Sequence, residues 1–351
     1  MYFTHPQFKN FSFKPLLGDF SEIDLRNKLS KIFPDSHIVF TNSGRSAFQI
    51  AVNKLGLSNS EMIVPAYICD IFKPIFKHYN IEPIFIDVDL KTFNMEVGEI
   101  EDKITPNTKS ILVCHTYGIP NDMDRIKALA EKYNLKIIED CAHMPFGLPR
   151  AESREDALFF SFAKLFPVIN GGMLISKKPV NIKLKNYRFK LTNIIKFLRL
   201  FPVLAILSEL FRGKQRESRG NQEEIQRASR GCLRVVNYYF DNLETNLNKR
   251  IDLAKYFQKK LIEIGFEVQE SKDNTFTYLS ALVPKNINRD EVFNKLRKRG
   301  VFCSRIWQNP LFPDLPNTQE TAKRIINFPL QNWFTEKDID KIIVGILSSM
   351  D

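Results

Sequence analysis

The sequence predicts an α/β fold, a mostly parallel central sheet with flanking helices, followed by a smaller C-terminal α+β domain. Two observations carry this expectation. From about residue 36 to 176, short apolar runs alternate with stretches of helical period, the pattern of a parallel sheet covered on both faces. After residue 176 the alternation stops, and a long helix leads into strands and helices in no such order. A chain of 351 residues is long enough for a large domain and a smaller one. The expected division is an N-terminal arm over 1–35, a large domain over 36–235 and a small domain over 236–351.

The elements follow in order. Ile38–Phe40 is the first strand and breaks at Thr41-Asn42-Ser43-Gly44; Ala47, Ile50, Ala51 and Leu55 then recur at helical spacing. Met62–Val64, Pro83–Ile86, Ser110–Cys114 and Lys136–Glu139 are the next strands, with helical stretches between them, Asp124–Tyr133 the clearest. Leu158–Phe162 and Gly172–Ile175 come last, separated only by residues 163–171. Beyond them a helix is expected over Cys232–Ile264, strands at Phe266–Gln269, Thr275–Leu282 and Val301–Ser304, and helices over Asn288–Arg299 and Thr335–Ser349.

Composition narrows the function classes. The hydrophobic share of 44% and charged share of 26% are those of a soluble globular protein. The five cysteines include no CxxC pair, and three lie in or beside apolar strand-like runs, which suits buried free thiols in a reducing compartment. The start, MYFTHPQFKN, lacks the basic and apolar regions of a secretion signal, so a cytoplasmic location is expected. The net charge of +11 sits in one segment: residues 177–234 carry 15 basic and four acidic side chains, and the rest of the chain balances at 36 of each. A basic surface for nucleic acid is therefore not expected.

Inside that segment, a basic apolar insertion spans about 181–230. Its stretch Leu191–Arg212 has two readings. The longest uncharged run, Leu200–Ser208, is far too short to span a membrane. It could lie on an anionic membrane face as a peripheral contact, or fold over the active-site mouth or a subunit interface.

Three local features suggest chemistry. Ser43-Gly44-Arg45-Ser46 joins a strand to a helix, where backbone N–H groups and the helix dipole face an anion; by itself such a turn is commonly plain capping. Lys136–Glu139 is a buried strand that runs into two acids, Glu139 and Asp140, and His143 follows. A strand-end carboxylate can pair with a protonated ring nitrogen, although each of these residues alone has an ordinary structural reading. Lys164 ends the run LFFSFAK and precedes Asn170-Gly171-Gly172. Placed in a cleft, with desolvation and a cationic neighbour lowering its pKa, it would be a nucleophilic amine. A lysine for an aldehyde, an acid for a pyridine nitrogen and a phosphate cradle are what pyridoxal phosphate requires.

The segments SGRSA, VPAY, HTYGIPNDMD, IIEDCAH, SFAK and NGG, in that order, together with INFPLQNWFTEKDIDKII, resemble the DegT/DnrJ/StrS family of sugar aminotransferases. These are fold-type I pyridoxal-phosphate enzymes. The resemblance implies a fold-type I PLP-transferase-like architecture, with pyridoxal 5'-phosphate as cofactor and no metal. It implies that Lys164 holds the cofactor aldehyde and Asp140 partners the pyridine nitrogen. His143 falls near the ring hydroxyl, Arg45 and Ser46 at the phosphate-binding pair after Ser43-Gly44, and Ser161 at a further phosphate contact. Three positions depart from the family pattern. Lys164 stands three residues after Ser161, where most members have five. Cys69 stands where a ring-stacking aromatic is usual, with Tyr67 the nearby aromatic. Gln331 replaces a histidine.

The function so implied is transfer of an amino group from an amino acid, usually glutamate, to a keto group of a nucleotide-linked sugar, by a homodimer. Two alternatives stand beside it: a non-catalytic cofactor-binding sensor or membrane scaffold, and a sugar dehydratase. In dehydratases of this family a histidine takes the lysine's place, so Lys164 argues against the second.

Overall fold

A computed structural model of the chain describes residues 2–3, 14–17, 19–146, 156–189, 193–194, 224–271 and 273–350. Strand β1 (Tyr2–Phe3) and helices α1 (Lys14–Leu17) and α2 (Glu22–Ile32) come first. The main sheet follows: β2 (His37–Thr41), β3 (Glu61–Pro65), β4 (Glu82–Ile86), β5 (Thr108–Cys114), β6 (Lys136–Asp140), β7 (Ala157–Ser161) and β8 (Gly172–Ser176). Helices α3 (Gly44–Lys54), α4 (Lys73–Tyr79), α5 (Met123–Lys132) and the single turn α6 (Phe162–Leu165) alternate with these strands.

The strand order is β2-β8-β7-β6-β5-β3-β4. Every neighbouring pair is parallel except the two made by β8. Six strands therefore end at one edge of the sheet, where ligands of open α/β sheets bind. Helices cover both faces, so the central strands are apolar on both sides: Met62, Ile63 and Val64 are all buried, as are Ile111, Leu112 and Val113. Adjacent Phe159 and Phe160 point to opposite faces. Phe159 joins Phe48, Phe72 and Leu174 under α3, and Phe160 joins Leu25, Leu29 and Phe33 of the α2 region. Burying one such side chain contributes about 1.5–3 kcal/mol.

The helix expected over Cys232–Ile264 is two helices, α7 (Arg230–Phe240) and α8 (Leu243–Glu263). The break falls at Asp241 and Asn242, whose side chains compete with a helix for backbone groups. The Asp241 carboxylate is taken by Lys28 of α2 at 2.8 Å. Beyond α8, β9 (Glu267–Val268), β10 (Leu279–Leu282) and β12 (Ile325–Phe328) form an antiparallel sheet in the order β12-β10-β9. Helices α9 (Arg289–Lys298), α10 (Pro316–Arg324) and α11 (Glu336–Met350) accompany it, and Phe257, Leu296, Phe328, Ile342 and Ile346 share one core. Strand β11 (Val301–Phe302) pairs in parallel with β1.

The strand expected over Thr275–Leu282 begins only at Leu279. Phe276 has φ +49, and its N–H donates to the Asn274 side chain at 2.7 Å, so residues 275–278 turn aside to meet the Tyr117–Gly118 loop. Of the basic insertion, residues 190–192 and 195–223 lie outside the described residues, and most of Leu191–Arg212 with them. Among the described residues no helix is long and apolar enough to cross a membrane.

Candidate active site

Because β6 and β7 are parallel neighbours, with Asp140 opposite Phe159, the residues that follow them emerge side by side. Asp140 closes β6 and His143 lies three residues on; Ser161 closes β7 and Lys164 sits in α6. The Lys164 Nζ lies 3.4 Å from the Tyr278 phenol oxygen and 5.5 Å from the centre of its ring. Its charge also acts on Cys69, Asp140 and His143. The structure thus brings together Lys164, Asp140, His143 and Cys69 at one edge of the sheet.

The electrostatics follow from burial. Asp140 is 7% exposed, and desolvation pushes its carboxyl up to about 6. The Ala142 N–H, donating to Oδ1 at 2.8 Å, and the Lys164 charge only partly offset this. For Lys164 the sequence-based expectation of a lowered pKa is corrected. Burial does work to lower it, but Tyr278, Cys69 and Asp140 together outweigh burial and the amine is raised. His143 goes the other way: burial holds it well below its usual range, and the Lys164 cation adds to that. Its Nδ1 accepts the Tyr117 N–H at 3.2 Å, which assigns the ring proton to Nε2. His143 is therefore a neutral donor.

The Ser43–Ser46 turn opens α3. Ser43 Oγ accepts the Ser46 N–H at 3.2 Å and caps the helix. The turn is pressed against the ends of β7 and β8. A Cβ on Gly172 would stand 2.5 Å from Gly44 N, and one on Gly44 would stand 3.4 Å from Ser161 Cβ. That closeness puts Ser161 beside the N-terminus of α3, whose first N–H groups have no partner within the helix. Nearby, both amide atoms of the Asn170 side chain are buried without a hydrogen bond. An anion accepting several N–H and O–H bonds suits this corner. A desolvated carboxylate at Asp140 suits a cation. The donor set therefore fits a phosphate at one end and a protonated ring nitrogen at the other. Arg45 is half-buried beside the capping residues.

Tyr67 and Cys69 part company. Cys69 is half-buried and electrostatically coupled to Lys164 and Asp140. Tyr67 is fully buried, edge-on to Trp307 and Tyr117. Its hydroxyl lies 2.8 Å from the Tyr117 hydroxyl and 3.0 Å from the Ile306 carbonyl. Gln331 is buried as well.

Sequence reasoning missed a wall of aromatic residues. Tyr117, Tyr278 and Trp307 surround His143: Tyr117 and Trp307 stack on it at 5.7 and 5.2 Å, and Tyr278 meets it edge-on at 5.1 Å. Tyr117 and Trp307 have φ values of +59 and +58, a left-handed conformation unusual for bulky side chains and common at functional sites. No glycine or asparagine marks these positions, so the sequence carries no local signal of them. It also missed a brace behind Asp140. Glu139 points to the other face of β6 and meets His115 Nε2 at 2.9 Å, while His115 Nδ1 accepts the Asn121 N–H at 3.1 Å. Cys141 Sγ lies 3.9 Å from the same Glu139 oxygen. A metal would need the Nε2 lone pair, but the Asn121 bond assigns the proton there, so the cluster is a hydrogen-bonded brace.

Comparison with known proteins agrees with this geometry. The model of the DegT/DnrJ/EryC1/StrS aminotransferase family matches residues 21–347. The dTDP-4-amino-4,6-dideoxy-D-glucose transaminase of Shigella dysenteriae is 26% identical, over 92% of this chain and 88% of that protein. The 3-oxo-glucose-6-phosphate:glutamate aminotransferase of Bacillus subtilis is 25% identical, over 96% of this chain and 76% of that one. Among solved structures, the apo form of a sugar aminotransferase from Streptococcus pneumoniae superposes with a TM-score of 0.76 at 17% identity. That match covers 100% of this chain and 97% of the other, and it establishes the shared fold.

Proposed function

We propose that this chain, which belongs to the DegT/DnrJ/EryC1/StrS aminotransferase family, moves an amino group from glutamate to the keto group of a nucleotide-linked sugar. Pyridoxal phosphate, which when bound supplies an aldehyde and an electron-withdrawing ring, is its cofactor. The observation that carries the assignment of residues is the meeting of buried Lys164 and buried Asp140 at neighbouring strand ends, within reach of each other's charge.

Each residue then has a task. Lys164 holds the aldehyde through Nζ, and the same amine, once free, moves a proton at the α-carbon of the amino donor. Asp140 pairs with the ring nitrogen; a cation there favours its charged form, so it remains a carboxylate at neutral pH. His143 donates from Nε2 toward the ring hydroxyl. The Ser43-Gly44-Arg45-Ser46 turn and Ser161 hold the phosphate at the N-terminus of α3. Cys69 faces the ring, and Tyr67 supports the aromatic wall behind it.

The relatives' names support the substrate class: one is a transaminase named for a dTDP-linked amino sugar, and another names glutamate and an oxo-sugar phosphate. The same reading includes a homodimer in the cytoplasm, with the large domain over 36–235 binding the cofactor and the smaller domain over 236–351 closing on it. It also assigns the basic stretch 191–212 to the site mouth or to an anionic membrane face. The test is direct. Purified protein loaded with pyridoxal phosphate is offered glutamate and a panel of dTDP-, GDP- and UDP-linked keto sugars. An aminated sugar and an equal amount of 2-oxoglutarate are expected with at least one of them. Failure with every sugar, and no spectral response to glutamate, would remove the assignment.

A further inference from the structure

We propose that Tyr278 is a catalytic residue of this site, the fixed partner of the Lys164 amine whenever that amine is not bonded to an aldehyde carbon. Its oxygen accepts a hydrogen bond from the ammonium form and its O–H donates one to the free amine, so Nζ stays aimed into the site in both forms. The role in transamination rests on the function proposed above; the contact itself does not.

Three observations support it. Tyr278 is buried, and its hydroxyl is 3.4 Å from Nζ, long for an N–O hydrogen bond, as catalytic contacts commonly are before substrate binds. Nζ also stands over the ring at 5.5 Å, so the ring face attracts the charged form as well.

The backbone that delivers Tyr278 is held at every residue. The Thr275 N–H donates to the Gly118 carbonyl at 2.8 Å, and the Tyr278 N–H to the Tyr117 carbonyl at 3.3 Å. Buried Arg250 donates to the carbonyls of Phe276 and Thr277. Gly118 has φ +107, and a Cβ there would stand 2.3 Å from Thr275 Oγ1, so the loop closes on it without slack. Phe276 is itself left-handed at φ +49. Such over-determination is expected of a segment whose side chain must be aimed.

The third observation is where the other charges lie. Lys164 faces Asp140 and His143 from the end of β6, Cys69 from the loop after β3, and Tyr278 from the approach to β10. Of the groups acting to raise the amine, Tyr278 has the largest effect, and it opposes burial. It is also the one that Lys164 touches.

The experiment uses cofactor-free protein. The pH dependence of Lys164 acylation by acetic anhydride, read by peptide mass spectrometry, is compared between the wild type and Tyr278→Phe. A hydrogen bond to a charged group predicts that the variant's midpoint falls, with about tenfold more free amine at a given pH below it. In the loaded enzyme the same variant should retain cofactor but show a larger isotope effect with α-deuterated glutamate, because Nζ is no longer held in line with the α-carbon proton. An unchanged acylation midpoint overturns the proposal. Should Tyr278→Phe fail to fold, 3,5-difluorotyrosine at position 278 replaces it. Its altered phenol should shift the Lys164 midpoint, and an unmoved midpoint again overturns the proposal. Acylation needs neither sugar nor cofactor, so this result stands whether or not the proposed transamination is observed.

Discussion

Two walls of the same cleft are built by different means. One comes from the main sheet, where Asp140, His143, Ser161 and Lys164 each lie within three residues of the end of a strand. The other comes from the irregular backbone around Tyr278 and Trp307, clamped by Arg250 at the Phe276 and Thr277 carbonyls and by Tyr117 and Asn327 at Ile306. The first wall needs only the sheet to form, because parallel strand ends bring their next residues together. The second needs the C-terminal residues to dock on the Tyr117–Gly118 loop. The groups proposed to hold the cofactor are thus set by local chain order, while the group proposed to tune the amine is set by tertiary contact. Damage to the two walls should differ accordingly.

The largest effect belongs to the first wall. Lys164→Ala is expected to lower transamination by a thousandfold or more, on the order of what general acid–base and nucleophilic catalysis contribute, while thermal unfolding changes little. A variant that keeps substantial turnover would break the distinction. In the second wall the sign reverses and stability suffers first. Arg250 is fully buried and donates to Phe276, Thr277 and Leu330 carbonyls, and burial pulls it down to about 9. Arg250→Met strands those carbonyls, so denaturant titration should show a loss of about 3–5 kcal/mol. Cofactor binding by the folded fraction should persist.

A smaller effect, of opposite character, is expected at Asp140. In cofactor-free protein its carboxyl is raised from 3.8 to about 6. The folded state therefore binds its proton more tightly than the unfolded chain does. This group's contribution to stability is full below about pH 4 and is lost as pH rises through about 6, by roughly 3 kcal/mol. Asp140→Asn removes that loss. Cofactor-free Asp140→Asn should be more stable than the wild type at pH 8 and close to it at pH 4, yet far less active when loaded. Equal pH dependence in the two proteins would contradict the burial argument. The smallest effect concerns residues 191–212. Liposome flotation at low and high salt should test membrane contact: salt-sensitive binding to anionic vesicles supports it, and the absence of binding retires it in favour of a role at the site mouth or a subunit interface.

The contrast between the walls also sets how much was legible in the sequence. The seven sheet strands can be read from apolar runs, because a buried parallel strand is contiguous in sequence; Lys164 and Asp140 stand out only through the order of the segments that resemble the family. The α7–α8 break was not legible, since Asp241 and Asn242 interrupt a helical pattern without glycine or proline. Strand β12 and helix α10 are not legible because their buried apolar partners are distant in sequence: Ala322 and Ile325 pack with Tyr67, Val88, Phe93 and Tyr117. Tyr278 was read as part of a strand, with nothing to indicate that Phe276 would turn left-handed and aim it at a lysine 114 positions earlier. The pKa of Lys164 was misread for the same reason: burial was foreseeable, and the Tyr278 contact that opposes it was not.

The central claim is that Lys164 carries the cofactor, and one measurement tests it most directly. Protein loaded with pyridoxal phosphate is reduced with borohydride, digested and mapped by mass spectrometry. A single phosphopyridoxyl group on Lys164 is expected; an adduct on another lysine with Lys164 unmodified, or no adduct at all, would contradict the account.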